Sequence, residues 1–126
     1  MNSEKVIFGF FITLAAALNF GFWTGEMDRV ELHNVWELAA AIVVSLIATV
    51  LKFGDRTQLG AVHLATSLVA DVQLIAGAAV WSWAAMSPSG VTSSDMALIV
   101  SMSAGALLAN LISVVLMISE IITARR

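Results

Sequence analysis

Apolar residues run along this chain in four blocks, each broken by a short cluster of charged or turn-forming residues. The blocks cover about residues 6–24, 35–53, 59–83 and 96–124, the first bounded by Lys5 and by the charged stretch from Gly25 to Arg29. Each approaches or exceeds the roughly 20 residues with which a helix crosses the hydrocarbon of a bilayer. None alternates with a period of two, and all are rich in Ala and Leu, so the pattern predicts helices and not strands. The connections are short: residues 25–34, 54–58 and 86–95, the last holding the only proline, Pro88, together with Gly90. Short links make successive helices antiparallel neighbours. The expected fold is therefore a single all-α domain over residues 1–126, four transmembrane helices in an up-down bundle. Ser94 or Asp95 is the expected N-cap of the last helix.

Composition moves the chain out of water. Of 126 residues 60% are hydrophobic and only 12% charged, with a mean hydropathy of +0.93. A soluble domain this small could not hide so many apolar side chains. A soluble enzyme or a nucleic-acid binder is excluded on that ground, and the net charge of −3 argues against a phosphate-binding face. There is no cysteine, hence no disulfide, thiolate zinc site or thiol nucleophile.

Orientation follows from the cations. Lys5, Lys52, Arg56, Arg125 and Arg126 fall on one side and Arg29 alone on the other, which predicts that both termini are cytoplasmic. Trp23, Trp36, Trp81 and Trp83 all fall at the opposite ends of their helices, the level of the headgroups that tryptophan prefers. Ala15–Ala17 resembles a signal-peptidase site, but cleavage there would leave a start at Leu18-Asn19-Phe20, so the first block is expected to remain as a span.

The sharpest chemical feature is Asp71, the central residue of the third block. A carboxylate at mid-membrane costs roughly 2.5–3.5 kcal/mol on insertion scales, so it needs a partner or a task. His63, Ser67 and Asp71 share one helix face at intervals of four, with Thr66, Ala70, Gln73 and Gly77 beside it. In the fourth block Ser103, Ala106, Asn110, Ser113, Met117 and Glu120 form the seam of a close helix contact, and Asn110 is placed to reach Asp71. Glu37, Ala41, Ser45, Ala48 and Lys52 share a face of the second block, and Gly9, Thr13, Ala16 and Ala17 give the first a small-residue face with Asn19 off it. The polar residues of these faces also have a plainer use, hydrogen bonding between helices. His63, Gln73, Asn110 and the outer acid Glu37 are the candidates to join Asp71 along an ion path.

The outer side carries Glu26, Asp28, Glu31, Glu37 and Asp95 against Arg29, and the inner side Glu4, Asp55 and Glu120 against five cations. An acidic rim would gather cations at a pore mouth; the plainer account is that Lys and Arg stay inside. His33 and Glu37 would face each other if the second helix began early, near enough to Glu26, Asp28 and Glu31 to suggest a divalent ion. No metal signature, cofactor motif, nucleophile elbow or triad is present, so no metal, cofactor or catalysis is expected.

Several stretches are familiar together: Val6-Ile7-Phe8-Gly9-Phe10-Phe11, Leu18-Asn19-Phe20-Gly21-Phe22, the run from Thr49 to Gln58, and Ala65-Thr66-Ser67-Leu68-Val69-Ala70-Asp71. They resemble a bacterial family of small four-span inner-membrane proteins of unknown function. The resemblance implies a bacterial inner membrane and transfers no site residue. Small multidrug exporters and fluoride channels share this size, but the first block lacks the exporters' glutamate and the third lacks the channels' Gly-Gly-Leu-Thr-Thr-Phe-Ser break.

A bundle of four thin helices is filled by its own side chains, so a conduit is expected between copies around a symmetry axis. The expectation is a homo-oligomeric ion channel or transporter subunit, cation-selective, with Asp71 nearest the path. The alternatives are an accessory or scaffold subunit that binds another membrane protein or a cytoplasmic regulator, and an exporter of small cations. The lipid bilayer is an expected partner in every one of these readings.

Overall fold

The structure is a computed structural model that describes residues 3–24, 29–30, 33–53 and 57–124, with side chains described from Lys5 to Thr123 within those ranges. Glu4, Glu26, Asp28, Glu31, Asp55, Arg56, Arg125 and Arg126, which weighed in the charge argument, lie outside the described residues or side chains. Four helices follow one another: α1 (Ser3–Trp23), α2 (Val35–Lys52), α3 (Gln58–Met86) and α4 (Ser93–Ala124). All four are long and apolar enough to cross a membrane. The helices begin and end within three residues of the apolar blocks. The 29 residues of α3 and 32 of α4 span roughly 45 Å at about 1.5 Å per residue, more than the hydrocarbon core needs.

Local chemistry explains where the helices begin. Asn34 caps α2 by accepting from the Trp36 backbone N–H at 2.9 Å, and Thr57 caps α3 by accepting from the Gly60 N–H at 2.9 Å. The start of α4 differs from expectation. Neither Ser94 nor Asp95 is the cap: Thr92 accepts from the Asp95 N–H at 3.2 Å, and Asp95 reaches back to the Thr92 N–H at 3.1 Å and to its hydroxyl at 2.9 Å. This is a reciprocal capping box with Asp95 in its third helical position. Between α3 and α4 the Gly90 N–H donates to the Ser87 carbonyl at 3.0 Å, Pro88 supplies the fixed φ of the turn, and Gly90 takes a φ of +66° that glycine adopts without strain.

Each helix packs on two others, α1 on α2 and α4, and α3 on α2 and α4. Contacts between α1 and α4 pair rising with falling numbers: Lys5 with Glu120 at 2.5 Å, Gly9 with Met117, Asn19 with Ser103. The same holds between α3 and α4, where Thr66 meets Ser113 and Gln73 meets Gly105. Lys5 and Lys52 therefore mark one end of the bundle, and Trp23, Trp36 and Trp83 the other. Trp81 points partly inward, its ring centroid 6.1 Å from that of Phe22.

Two apolar clusters fill the ends of the interior. At the tryptophan end Phe22, Leu38, Leu74, Met96, Ile99 and Val100 are buried together, and at the lysine end Phe8, Ile12 and Ala48. The outside is as apolar as the inside, with Val50, Val72, Leu108 and Val115 all more than half exposed. An oily exterior around a partly polar interior suits lipid as the solvent. The buried face of α1 is Phe8, Ile12, Ala15, Asn19 and Phe22, while Thr13 and Ala17 are exposed. The expected small-residue face is thus displaced, because the larger side chains are needed to fill the bundle and Asn19 must turn inward to meet Ser103. The seam expected on α4 is buried at Ser103, Ala106, Asn110 and Ser113.

Candidate functional site

Between the two apolar clusters the interior turns polar. Asp71 sits at the middle of α3, 5% exposed, and points at α2. Its Oδ1 accepts from the Ser45 hydroxyl at 2.6 Å and its Oδ2 from the Thr49 hydroxyl at 2.5 Å. Ser45 and Thr49 lie one turn apart, so a single carboxylate spans both hydroxyls, as residues four apart on a helix allow.

Thr49 has a second obligation. Its Oγ1 is also 3.0 Å from the carbonyl oxygen of Ser45, and a hydroxyl has one hydrogen to give. With Asp71 ionised, that hydrogen goes to the carboxylate. With Asp71 protonated, the acid can donate to Thr49 Oγ1 while the Thr49 hydrogen turns to the Ser45 carbonyl. Rotation about one C–O bond thus satisfies either protonation state without moving a helix.

Asn110 does not bond Asp71. It is 1% exposed, and neither its Oδ1 nor its Nδ2 has a hydrogen-bond partner. Its depth follows from its neighbours on α4: Ser113 meets Thr66, and Gly105 approaches Gln73, so Asn110 lies level with the stretch of α3 that holds Ser67 and Asp71. Ser67 is likewise 1% exposed with an unpartnered Oγ. Nearer the tryptophan end Ser103 donates to Asn19 Oδ1 at 3.2 Å, leaving Asn19 Nδ2 unpartnered. Buried polar atoms without partners are rare in native proteins.

His63 is buried toward the lysine end. Its Nδ1 lies 3.2 Å from Ser113 Oγ, which in turn lies 2.6 Å from Thr66 Oγ1. Its ring meets the Phe8 ring edge-on at 5.0 Å, and Lys52 Nζ stands 4.3 Å from the Phe8 centroid on its own side. The histidine thus meets a side chain on α4.

Gln73 and Glu37 stand apart from this group. Gln73 is half-buried and lies directly against Gly105 of α4, and the Glu37 carboxylate lies directly against Gly21 of α1; a Cβ at either glycine would collide with it. Each glycine lets a polar side chain rest on the facing helix. His33 is not in register with Glu37, because Asn34 caps α2 and keeps His33 outside the helix. Its Nδ1 instead lies 2.5 Å from the Phe22 carbonyl oxygen. Among the described residues no group of three His, Asp or Glu side chains is placed to hold a metal ion.

The structure thus brings Asp71 together with Ser45 and Thr49, and sets His63, Ser67 and Asn110 along the same interior. The hydroxyls of α2 were visible in the sequence only as generic helix glue. Their alignment with Asp71 depends on how far α2 slides along α3, which no local pattern encodes.

No curated protein and no solved structure matches the chain. The profile of a family of unknown function, DUF6394, matches residues 32–121, which takes in α2, α3 and nearly all of α4 and therefore every residue around Asp71. With well over half its length matched, the chain belongs to the DUF6394 family.

Proposed function

We propose that this protein is a cation-translocating subunit of a bacterial inner membrane, assembled from several copies, with Asp71 on the path. In this reading the four helices run up and down with both termini in the cytoplasm, on the side of Lys5 and Lys52. The observation that carries it is the mid-span carboxylate enclosed by α2 and α3, held by two hydroxyls that can serve it charged or neutral. A charge at that depth costs about 2.5–3.5 kcal/mol on insertion scales. Hydrogen bonds between membrane helices return about 0.6 kcal/mol each on average, so two of them leave most of that cost standing. A mere staple between α2 and α3 would be better built without an acid.

The remaining candidates are ordered in this reading by depth. His63 stands on the lysine side of Asp71, Asn110 beside it, Gln73 just beyond it, and Glu37 near the tryptophan end. Because Asp71 faces the inside of its own bundle, the path in this reading passes through each protomer, and assembly serves to hold the bundles and not to line the conduit.

The test is cation flux into liposomes holding the purified protein, compared between the native chain and Asp71→Asn. Flux that the substitution abolishes or makes insensitive to pH supports the reading. Flux unchanged by it removes Asp71 from the path.

A second reading draws on the same hydrogen bonds. If the Asp71–Ser45–Thr49 contact is only structural, the protein is a non-conducting accessory subunit whose apolar exterior packs on a larger membrane protein. It predicts no flux from either form, with folding and assembly verified, and co-purification with that protein.

A further inference from the structure

Among the described residues, Asn110 Oδ1, Asn110 Nδ2, Ser67 Oγ and Asn19 Nδ2 are unpartnered polar atoms in the interior. Their chemistry discriminates between ligands. Two are amide N–H groups that need an acceptor, one is a carbonyl that needs a donor, and the hydroxyl can be either. A metal cation would satisfy the carbonyl and leave the amide nitrogens as they are. Water supplies donors and acceptors together, and it is the usual occupant of small polar spaces inside proteins. The positions are surrounded by small side chains, with Ala15, Ala70 and Ala106 all fully buried.

The two ends of the bundle are not equivalent. From Asp71 toward the tryptophan end the Asn19–Ser103 pair gives way to Leu74, Leu38, Phe22, Met96, Ile99 and Val100, all buried, which close the interior. Toward the lysine end polar groups continue: Ser67, Thr66, Ser113, His63 and, beyond the Phe8 ring, Lys52. The apolar cluster there is Phe8, Ile12 and Ala48, with partly buried Phe11, Val114 and Met117 packed against it. The charged or titratable groups on this route are His63 of α3 and Lys52 of α2, with the Lys5–Glu120 pair of α1 and α4 outside them.

We propose that Asn110 and Ser67 hold ordered water that connects Asp71 to the lysine end of the bundle alone, so that the cation reaching Asp71 is a proton. The inference deepens the reading of Asp71 as a cation site and rests on it for the proton's onward passage, but the water itself does not depend on conduction. The hydroxyls of Ser45 and Thr49 then form the terminus of a half-path, and the apolar plug at the tryptophan end prevents a continuous wire in this conformation.

The chain has no cysteine, so any introduced thiol is the sole S–H group and its infrared stretching band stands clear of other protein absorption. Ser67→Cys and Ser113→Cys are nearly isosteric and sit on the lysine side of Asp71. Val100→Cys, also close in volume, sits in the plug. On transfer of the full-length variants in lipid to D2O, the S–H bands of S67C and S113C are expected to convert to S–D at least about tenfold faster than that of V100C, because a thiol in the apolar plug meets D2O only when the plug opens. Water reaching Ser67 without wetting Val100 must come from the lysine end. Adding Asn110→Leu to S67C, which removes both amide orphans, is expected to slow its exchange toward that of V100C.

An S67C band as slow as that of V100C, or a V100C band as fast as that of S67C, overturns the proposal whatever the flux assay shows. Fast S67C exchange with slow V100C exchange supports the half-path even where liposome flux is absent, in which case translocation is the claim that fails.

Discussion

The energetics of Asp71 make an asymmetric prediction about stability. Removing its two partners by Ser45→Ala with Thr49→Val keeps the shape of α2 nearly intact but leaves the acid buried with neither hydroxyl. The two lost bonds, 2.6 and 2.5 Å in length, are worth about 0.6 kcal/mol each on average and about 1.7 at most, so the loss is about 1–3 kcal/mol before any penalty for the stranded carboxyl. Asp71→Asn removes the charge instead. Its amide can still accept from Ser45 and donate to Thr49 Oγ1, whose hydrogen then turns to the Ser45 carbonyl 3.0 Å away, so the change should stay within about 1 kcal/mol of the native protein. Putting Asp71→Leu on the double variant should recover most of the loss, as replacing buried polar partners by apolar groups generally does. Unfolding in mixed micelles, followed by the fluorescence of the four tryptophans, measures all of these. A double variant as stable as the native chain, or an Asn variant less stable than the double variant, would refute the reasoning.

Three further predictions test the packing. Gly105→Ala brings a methyl group against the Gln73 amide, the far end of a flexible side chain that can swing aside, so it should cost at most about 1 kcal/mol, the low end for an overpacked site, with Gln73→Ala in the same chain removing that cost in the same unfolding assay. Gly21→Ala should do likewise through Glu37, rescued by Glu37→Ala; if neither rescue works, the helices approach differently from the contacts described. Thr92→Ala abolishes the capping box of α4 and should lower stability by about 1 kcal/mol, with amide exchange rising at residues 93–96 and nowhere deeper.

How much of this could be read from the sequence depended on the range of the forces involved. The spans were legible because bilayer thickness imposes a length on every apolar block, and α2 begins at Val35 as that length and Asn34 require. The start of α4 was misplaced by a turn's fraction because Thr92-Ser93-Ser94-Asp95 offers several capping residues in a row, and only the reciprocal bonds choose Thr92. On α1 the periodicity of small residues competed with that of Phe8, Ile12, Ala15, Asn19 and Phe22; volume decided it, since a bundle interior has to be filled. The acid itself was conspicuous. Its partners were not, because Ser45, Thr49, Ser67 and Asn110 are all polar residues on inward faces, and which of them meets Asp71 is set by the axial offset of two helices joined through residues 53–57.

That offset also bears on mechanism. Asp71 is tied to α2, whereas Asn110 belongs to α4 and His63 bonds α4 through Ser113, so the acid stands at the junction between two contacts of α3. A slide of α2 along α3 by one turn would bring Ala41 or Phe53 opposite Asp71 and leave the carboxylate one hydroxyl in place of two, with the α3–α4 seam at Gly105 and Gly77 intact. Helix slides of that size are a known switching device. In the register observed both hydroxyls can serve the acid charged or neutral, whereas a slid register would offer it only one. In the reading of Asp71 as a cation site, a contact that serves the acid in both protonation states and can change register is one means of passing a proton beyond the plug of Leu74, Leu38 and Phe22.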